Sequence, residues 1–128
     1  MRITLTSLIV NDQSKALKFY TEMLGFVKKR EIPIGEHRWL TVVSRDEQSG
    51  VELSLEPVAF PPARVYQQAL FDAGIPLTAF QVDDLEKEYQ RLLTLGVSFS
   101  MKPTVMGATK LAVLNDTCGN NIQLFEVL

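Results

Sequence analysis

The chain is poor in the residues that usually anchor chemistry. Its single cysteine, Cys118, excludes an internal disulfide, and its single histidine, His37, excludes any metal site built on paired imidazoles. Thirteen Lys and Arg against fifteen Asp and Glu leave a formal net charge of -2, so there is no cationic excess to neutralise phosphates. That argues against nucleic acid and against an anionic membrane surface as partners. No apolar run approaches the roughly 20 residues of a spanning helix. The opening "MRITLTSLIVND" is too short, and too broken by Thr and Asp, to read as a signal peptide, and a cytoplasmic home is expected.

What is present is a globular composition, 46% hydrophobic and 22% charged, with no low-complexity tract. With 128 residues there is room for one well-formed core and not for two ordinary domains. Yet one pattern occurs twice: "LTSLIVNDQSKALKFYTEMLGF" from Leu5, and "LTAFQVDDLEKEYQRLLTLGV" from Leu77. Each has a short β-branched run, an Asp break, a helical period and a glycine stop, which reads as strand, cap, helix and termination.

Each copy is followed by further short strands. "FVKKREIPI" reads as a strand at or near an edge because of its charges and Pro33. "HRWLTVVS" and "VELSLEP" follow, the latter alternating Val51, Leu53 and Leu55 with Glu52, Ser54 and Glu56. A proline-started helix over about 62–73 links the copies. After the second helix, strands are expected over about 97–101 and 110–114, then the turn "NDTCGN" and the strand "NIQLFEV". The expectation is an α+β chain of order βαβββ, helix, βαβββ, with module one over about 1–58 and module two over about 75–128.

The repeat, together with "VNDQSKALKFYTEMLGF" and the closing "NDTCGNNIQLFEV", resembles the vicinal oxygen chelate superfamily of glyoxalase I, bleomycin-resistance proteins and extradiol dioxygenases. The resemblance runs essentially end to end as a single glyoxalase-like domain. It implies two βαβββ modules forming a curled mixed sheet around a cavity, helices on the convex side, and often a homodimer. It also implies metal-ligand positions on the first and last strand of each module, which fall here on Leu5, Glu52, Leu77 and Gln123. Two of the four are leucines, which cannot coordinate, so no cofactor and no bound metal are expected, although a divalent ion completed by an unforeseen ligand such as His37 stays open.

The resemblance implies that the strand faces away from the helices line the cavity, and alternation then assigns Leu5, Ser7, Ile9, Glu52, Ser54, Glu56, Leu77, Ala79, Gln81, Gln123 and Phe125 to them, the alternative being that Glu52, Ser54 and Glu56 are the solvated face of a half-buried strand. Of these, Ser7, Ser54, Glu56, Gln81, Gln123 and Phe125, together with Trp39, are the expected ligand-binding residues. Glu52 is the candidate general base: in an apolar cup desolvation would push its pKa up. It could equally pair with a cationic ligand group. Trp39 reads as core or as a stacking platform, Arg38 as an anion clamp or a solvated side chain, and Cys118 as a packing residue. The implied function is metal-free binding of a small, partly apolar or cationic molecule. The alternative is a lyase, isomerase or dioxygenase-type enzyme, similar to lactoylglutathione lyase, that uses Glu52 with a degenerate metal site.

Overall fold

The computed structural model describes residues 1–128. The chain separates into two compact units, Met1–Val65 and Tyr66–Leu128. Each is built on a four-stranded mixed sheet. In the first unit β1 (Leu5–Val10) leads into α1 (Gln13–Lys18), then β2 (Val27–Ile34), β3 (His37–Val43) and β4 (Glu52–Pro57). A helix α2 (Pro61–Asp72) follows, and the second unit continues with β5 (Thr78–Gln81), α3 (Leu85–Thr94), β6 (Phe99–Met106), β7 (Thr109–Asn115) and β8 (Asn121–Val127). Strand order is β1-β4-β3-β2 in one sheet and β5-β8-β7-β6 in the other, with the first strand of each parallel to the last. This is the expected βαβββ order written twice.

The helices start where the sequence places them. Asp12 and Asp84 sit in extended conformation ahead of α1 and α3, and each carboxylate accepts the N–H three residues on, from Lys15 at 3.0 Å and Lys87 at 3.1 Å. Such caps satisfy backbone donors that have no partner inside the helix. Gly25 and Gly96 end the two helical segments at φ +85° and +86°, a region that costs a residue with a Cβ.

Three expectations need adjustment. The first helix is α-helical for six residues only and continues as a π-helical turn over Phe19–Met23, with the Leu24 N–H donating to the Phe19 carbonyl at 3.2 Å. The strand expected over about 97–101 runs to Met106, through Pro103. β6 is an edge strand, where a missing N–H can face outward without breaking a ladder bond. Leu77 precedes β5 by one residue, although its N–H still donates to the Asn121 carbonyl at 2.9 Å.

In the first unit Leu8, Val10, Leu40, Val42, Leu53 and Leu55 are buried with Ala16, Phe19 and Tyr20 of the helical segment. Gln13 ties α1 to the sheet beneath it. Its amide donates to the Arg38 carbonyl at 2.7 Å and the Leu55 carbonyl at 2.9 Å, and its oxygen accepts the Arg38 N–H at 3.0 Å. In the second unit Ala112, Leu114, Ile122 and Leu124 are buried with Leu85 and Leu92 of α3. Each sheet therefore has one face closed by its own helix, and the alternate positions of every strand form the other face.

Candidate ligand-binding face

Strand register assembles the open face of the first unit. Leu5, Ser7 and Ile9 lie opposite Glu52, Ser54 and Glu56 across the parallel β1–β4 pair, and Ser54 is opposite Thr41. Across the β2–β3 hairpin Thr41, Trp39 and His37 stand opposite Arg30, Ile32 and Ile34. Arg38 lies on the other side: its guanidinium donates to the Ser14 hydroxyl of α1 at 2.6 Å and pairs with Glu31 at 3.6 Å. Trp39, its neighbour in an extended strand, therefore belongs to the open face, where it is half-buried.

Glu52 is the most constrained group here. One carboxylate oxygen, Oε1, accepts both the Thr41 hydroxyl at 2.8 Å and the Arg30 Nε–H at 2.9 Å. The Thr41 hydroxyl bond, with Arg30 and Lys29 as nearby positive charges, outweighs the opposing effect of desolvation and holds the Glu52 pKa below the usual glutamate value. This reverses the expectation that burial raises it. The reason lies in register: Thr41 and Arg30 are eleven and twenty-two residues away in sequence and reach the same oxygen only in the folded sheet.

Ser54, expected to line the face, is 1% exposed, and its hydroxyl donates to Glu56 Oε1 at 2.7 Å, so it bears on the face through Glu56. Ser7 and Leu5 are exposed, Glu56 and Ile9 half-buried. Ile32 and Ile34 keep 51% and 61% of their surface in solvent, an unusual exposure for isoleucines that flank a tryptophan. Arg30 and Thr41 were not among the expected site residues. The signal that could have found them is the alternation in "HRWLTVV", which puts Thr41 on the side of Trp39.

The equivalent face of the second unit is neutral. Ala79 and Gln81 stand opposite Gln123 and Phe125, which in turn face Val113 and Leu111 of β7. Gln123 and Phe125 are half-buried and Gln81 is exposed. Thus Ser7, Trp39, Glu52, Ser54 and Glu56 share the face of one unit, and Gln81, Gln123 and Phe125 that of the other. Cys118 is away from both, fully buried in the turn after β7. That turn is closed by Asp116, whose carboxylate accepts the N–H of Cys118 at 2.7 Å, the N–H of Asn120 at 3.0 Å and the Asn120 amide at 2.8 Å.

Could these residues hold the metal of the resemblance? No three His, Cys, Asp or Glu side chains gather anywhere in the chain. The carboxylate at the one acidic ligand position, Glu52, already carries a guanidinium and a hydroxyl on one of its two oxygens. Opposite it stands Leu5, without a donor atom. The donor set does not fit a tightly held transition metal.

Duplicated βαβββ units, each with a helix on one face of its sheet and a mixed polar and aromatic surface on the other, define a class of small α+β proteins. The chain belongs to the Glyoxalase/Bleomycin resistance protein/Dioxygenase superfamily, whose sequence profile it matches over residues 2–124. It is 52% identical to the uncharacterized protein YurT of Bacillus subtilis (strain 168), over 98% of this chain and 99% of that protein. Among solved structures it is similar to UcmS2, with 31% identity, a TM-score of 0.85 and 98% of both chains covered. It is also similar to TnmS3, an antibiotic binding protein from Streptomyces sp. CB03234. That match has 27% identity and a TM-score of 0.79, and covers all of this chain and 97% of TnmS3. No helix is long and apolar enough to cross a membrane.

Proposed function

We propose that the protein captures a small, partly apolar aromatic molecule on the open sheet face of its first unit, without a metal ion and without turning it over. The observation that carries this reading is the Trp39 surface. A half-buried indole flanked by two exposed isoleucines offers a planar ligand an apolar platform, with Glu56 and the Arg30 guanidinium that Glu52 holds as the few polar groups that give orientation. The described antibiotic-binding property of TnmS3 supports it by analogy of family and fold. A lyase, isomerase or dioxygenase role would ask Glu52 to act as base. A carboxylate held ionised by an arginine and a hydroxyl is a weaker base than the ordinary side chain. Pairing of two copies into a homodimer belongs to the same proposal, and a particle of twice 14.4 kDa by sedimentation is its expected signature.

Trp39 is the sole tryptophan, so its fluorescence reports this face alone. Titration with the neutral probe N-phenyl-1-naphthylamine is expected to quench Trp39 emission saturably, with energy transfer to the probe. No quenching and no probe enhancement would refute the reading, as would binding that survives unchanged in Trp39→Ala.

A further inference from the structure

The open face of the first unit is not uniformly acidic, although its sequence reads so. At one end Glu56 is joined only to the Ser54 hydroxyl. At the other end Glu52 is matched by Arg30, with Lys29 as a further positive charge in the neighbourhood. Lys29 sits at the bulge of β2 between Lys28 and Arg30, out of register with β3, and its ammonium donates to the Gln48 carbonyl at 3.0 Å. The remaining charges of β2 point elsewhere: Lys28 and Glu31 pair with each other at 3.7 Å, and Glu31 also pairs with Arg38 on the helix side.

Arg30 is held in a particular way. Its Nε is fixed by Glu52 Oε1, and that oxygen is fixed by the hydroxyl of Thr41, which is fully buried. Only the Nε is engaged in this clamp, and 48% of the side chain is exposed. The two terminal amino groups are available as a fork, the geometry that suits a carboxylate or sulfonate. Ile32 stands two residues further along the same face of β2, opposite Trp39. Two residues of strand span about 7 Å. A planar ring lying on Ile32 and Trp39 would thus carry an acidic substituent within reach of Arg30.

We infer that the Arg30 corner is the anion-recognition end of this face, and that the ligand class is a planar aromatic acid whose ring rests on Trp39 and Ile32 while its carboxylate or sulfonate pairs with Arg30. Glu52 and Thr41 are positioning residues: they orient the guanidinium and do not meet the ligand. The inference rests on the binding role proposed above and adds the sign of the ligand's charge.

A matched pair of dyes separates the two claims. 1-Anilinonaphthalene-8-sulfonate and N-phenyl-1-naphthylamine share a ring system and differ in the sulfonate. With energy transfer from Trp39 as readout, the wild-type chain is expected to bind the sulfonate about tenfold more tightly at low salt, as one charge-assisted contact provides. The preference shrinks as ionic strength rises. In Arg30→Gln it collapses to within about twofold, and Arg30→Lys, with the charge but not the fork, falls between. Far-UV circular dichroism checks that each variant is folded. Equal affinities of the wild type for the two dyes would overturn the inference and leave the binding role standing. A preference that persists undiminished in Arg30→Gln would overturn it as well. Failure of both dyes to bind would remove the binding role, and the inference with it.

Discussion

Asp116→Ala is the substitution for which the structure gives the largest expected effect. Asp116 has no exposed surface, and its carboxylate closes the turn between β7 and β8 by accepting from three donors, the Cys118 and Asn120 backbone N–H groups and the Asn120 side-chain amide. Cys118 and Asn120 are themselves buried, at 0% and 2% exposure, so water does not readily replace the lost acceptor. A buried donor left without a partner costs about 1–3 kcal/mol, and bonds to charged acceptors stand at the upper end. Three donors, discounted because the turn relaxes and some water enters, give roughly 4 kcal/mol. Against a total stability of about 5–15 kcal/mol that is a large share. With an unfolding entropy near 2.1 cal/mol/K per residue, it corresponds to a fall in Tm of about 15 °C for a chain this size. Urea or thermal unfolding followed by far-UV circular dichroism measures it, and Asp116→Asn, which keeps one acceptor oxygen, should lose roughly half as much. A loss under about 1 kcal/mol for Asp116→Ala would show that the turn holds itself without the carboxylate, and would refute the reasoning.

Gln13→Ala removes three hydrogen bonds that tie α1 to β3 and β4, and a destabilisation of about 2–3 kcal/mol is expected in chemical denaturation. Gly119 sits at φ +98° in the β7–β8 turn, where an added Cβ would stand 2.9 Å from the Gln67 side chain. Gly119→Ala should therefore cost about 1–3 kcal/mol, and an unchanged Tm would count against the positive-φ requirement. Glu52 has a folded-state pKa below its ordinary value of 4.5, so the stability its ionised form contributes is present above the unfolded pKa and is lost as pH falls through the folded one. Stability of the wild type should fall more steeply than that of Glu52→Gln on acidification below about pH 4.5. Parallel acid profiles would contradict the Arg30–Thr41 clamp.

The element order was readable because each element carries its own punctuation. Asp12 and Asp84 mark helix starts, Gly25 and Gly96 mark stops, and alternation in "VELSLEP" marks a half-buried strand. What escaped depends on neighbours rather than on local pattern. Pro103 looks like the end of a strand, and only the edge position of β6 makes it tolerable there. The π-helical turn has no signature in "FYTEM", since the apolar spacing fits an α-helix equally well. The same holds at the site. Strand periodicity, with the face taken from the resemblance, was enough to set Ser7, Glu52 and Glu56 on one side of a sheet, while Trp39 stayed open between core and platform. The electrostatic state of Glu52 was not legible, because it depends on which residues of β2 and β3 arrive beside it, and a bulge between Lys28 and Arg30 decides that.

The two halves of the chain differ in an instructive way. Where they agree, the residues set backbone geometry: the Asp caps accept from the third residue on at 3.0 and 3.1 Å, and the glycine stops lie within a degree of each other in φ. Where they disagree, the residues stand on the open faces, with Glu52 in one unit and Gln123 in the other, Arg30 and Trp39 in one and a neutral surface with Phe125 in the other. This division follows from energetics. A cap or a positive-φ glycine contributes about 1 kcal/mol and acts on the whole helix, so little else will serve. A half-exposed side chain on an open face contributes little to folding and can change with small loss. Leucine at position 5, one of the ligand positions that the resemblance implies, lies on such a face at 45% exposure. A leucine there leaves the scaffold unaffected. The face takes its chemistry from whatever groups the sheet brings together, which in the first unit are an arginine, two glutamates and an indole.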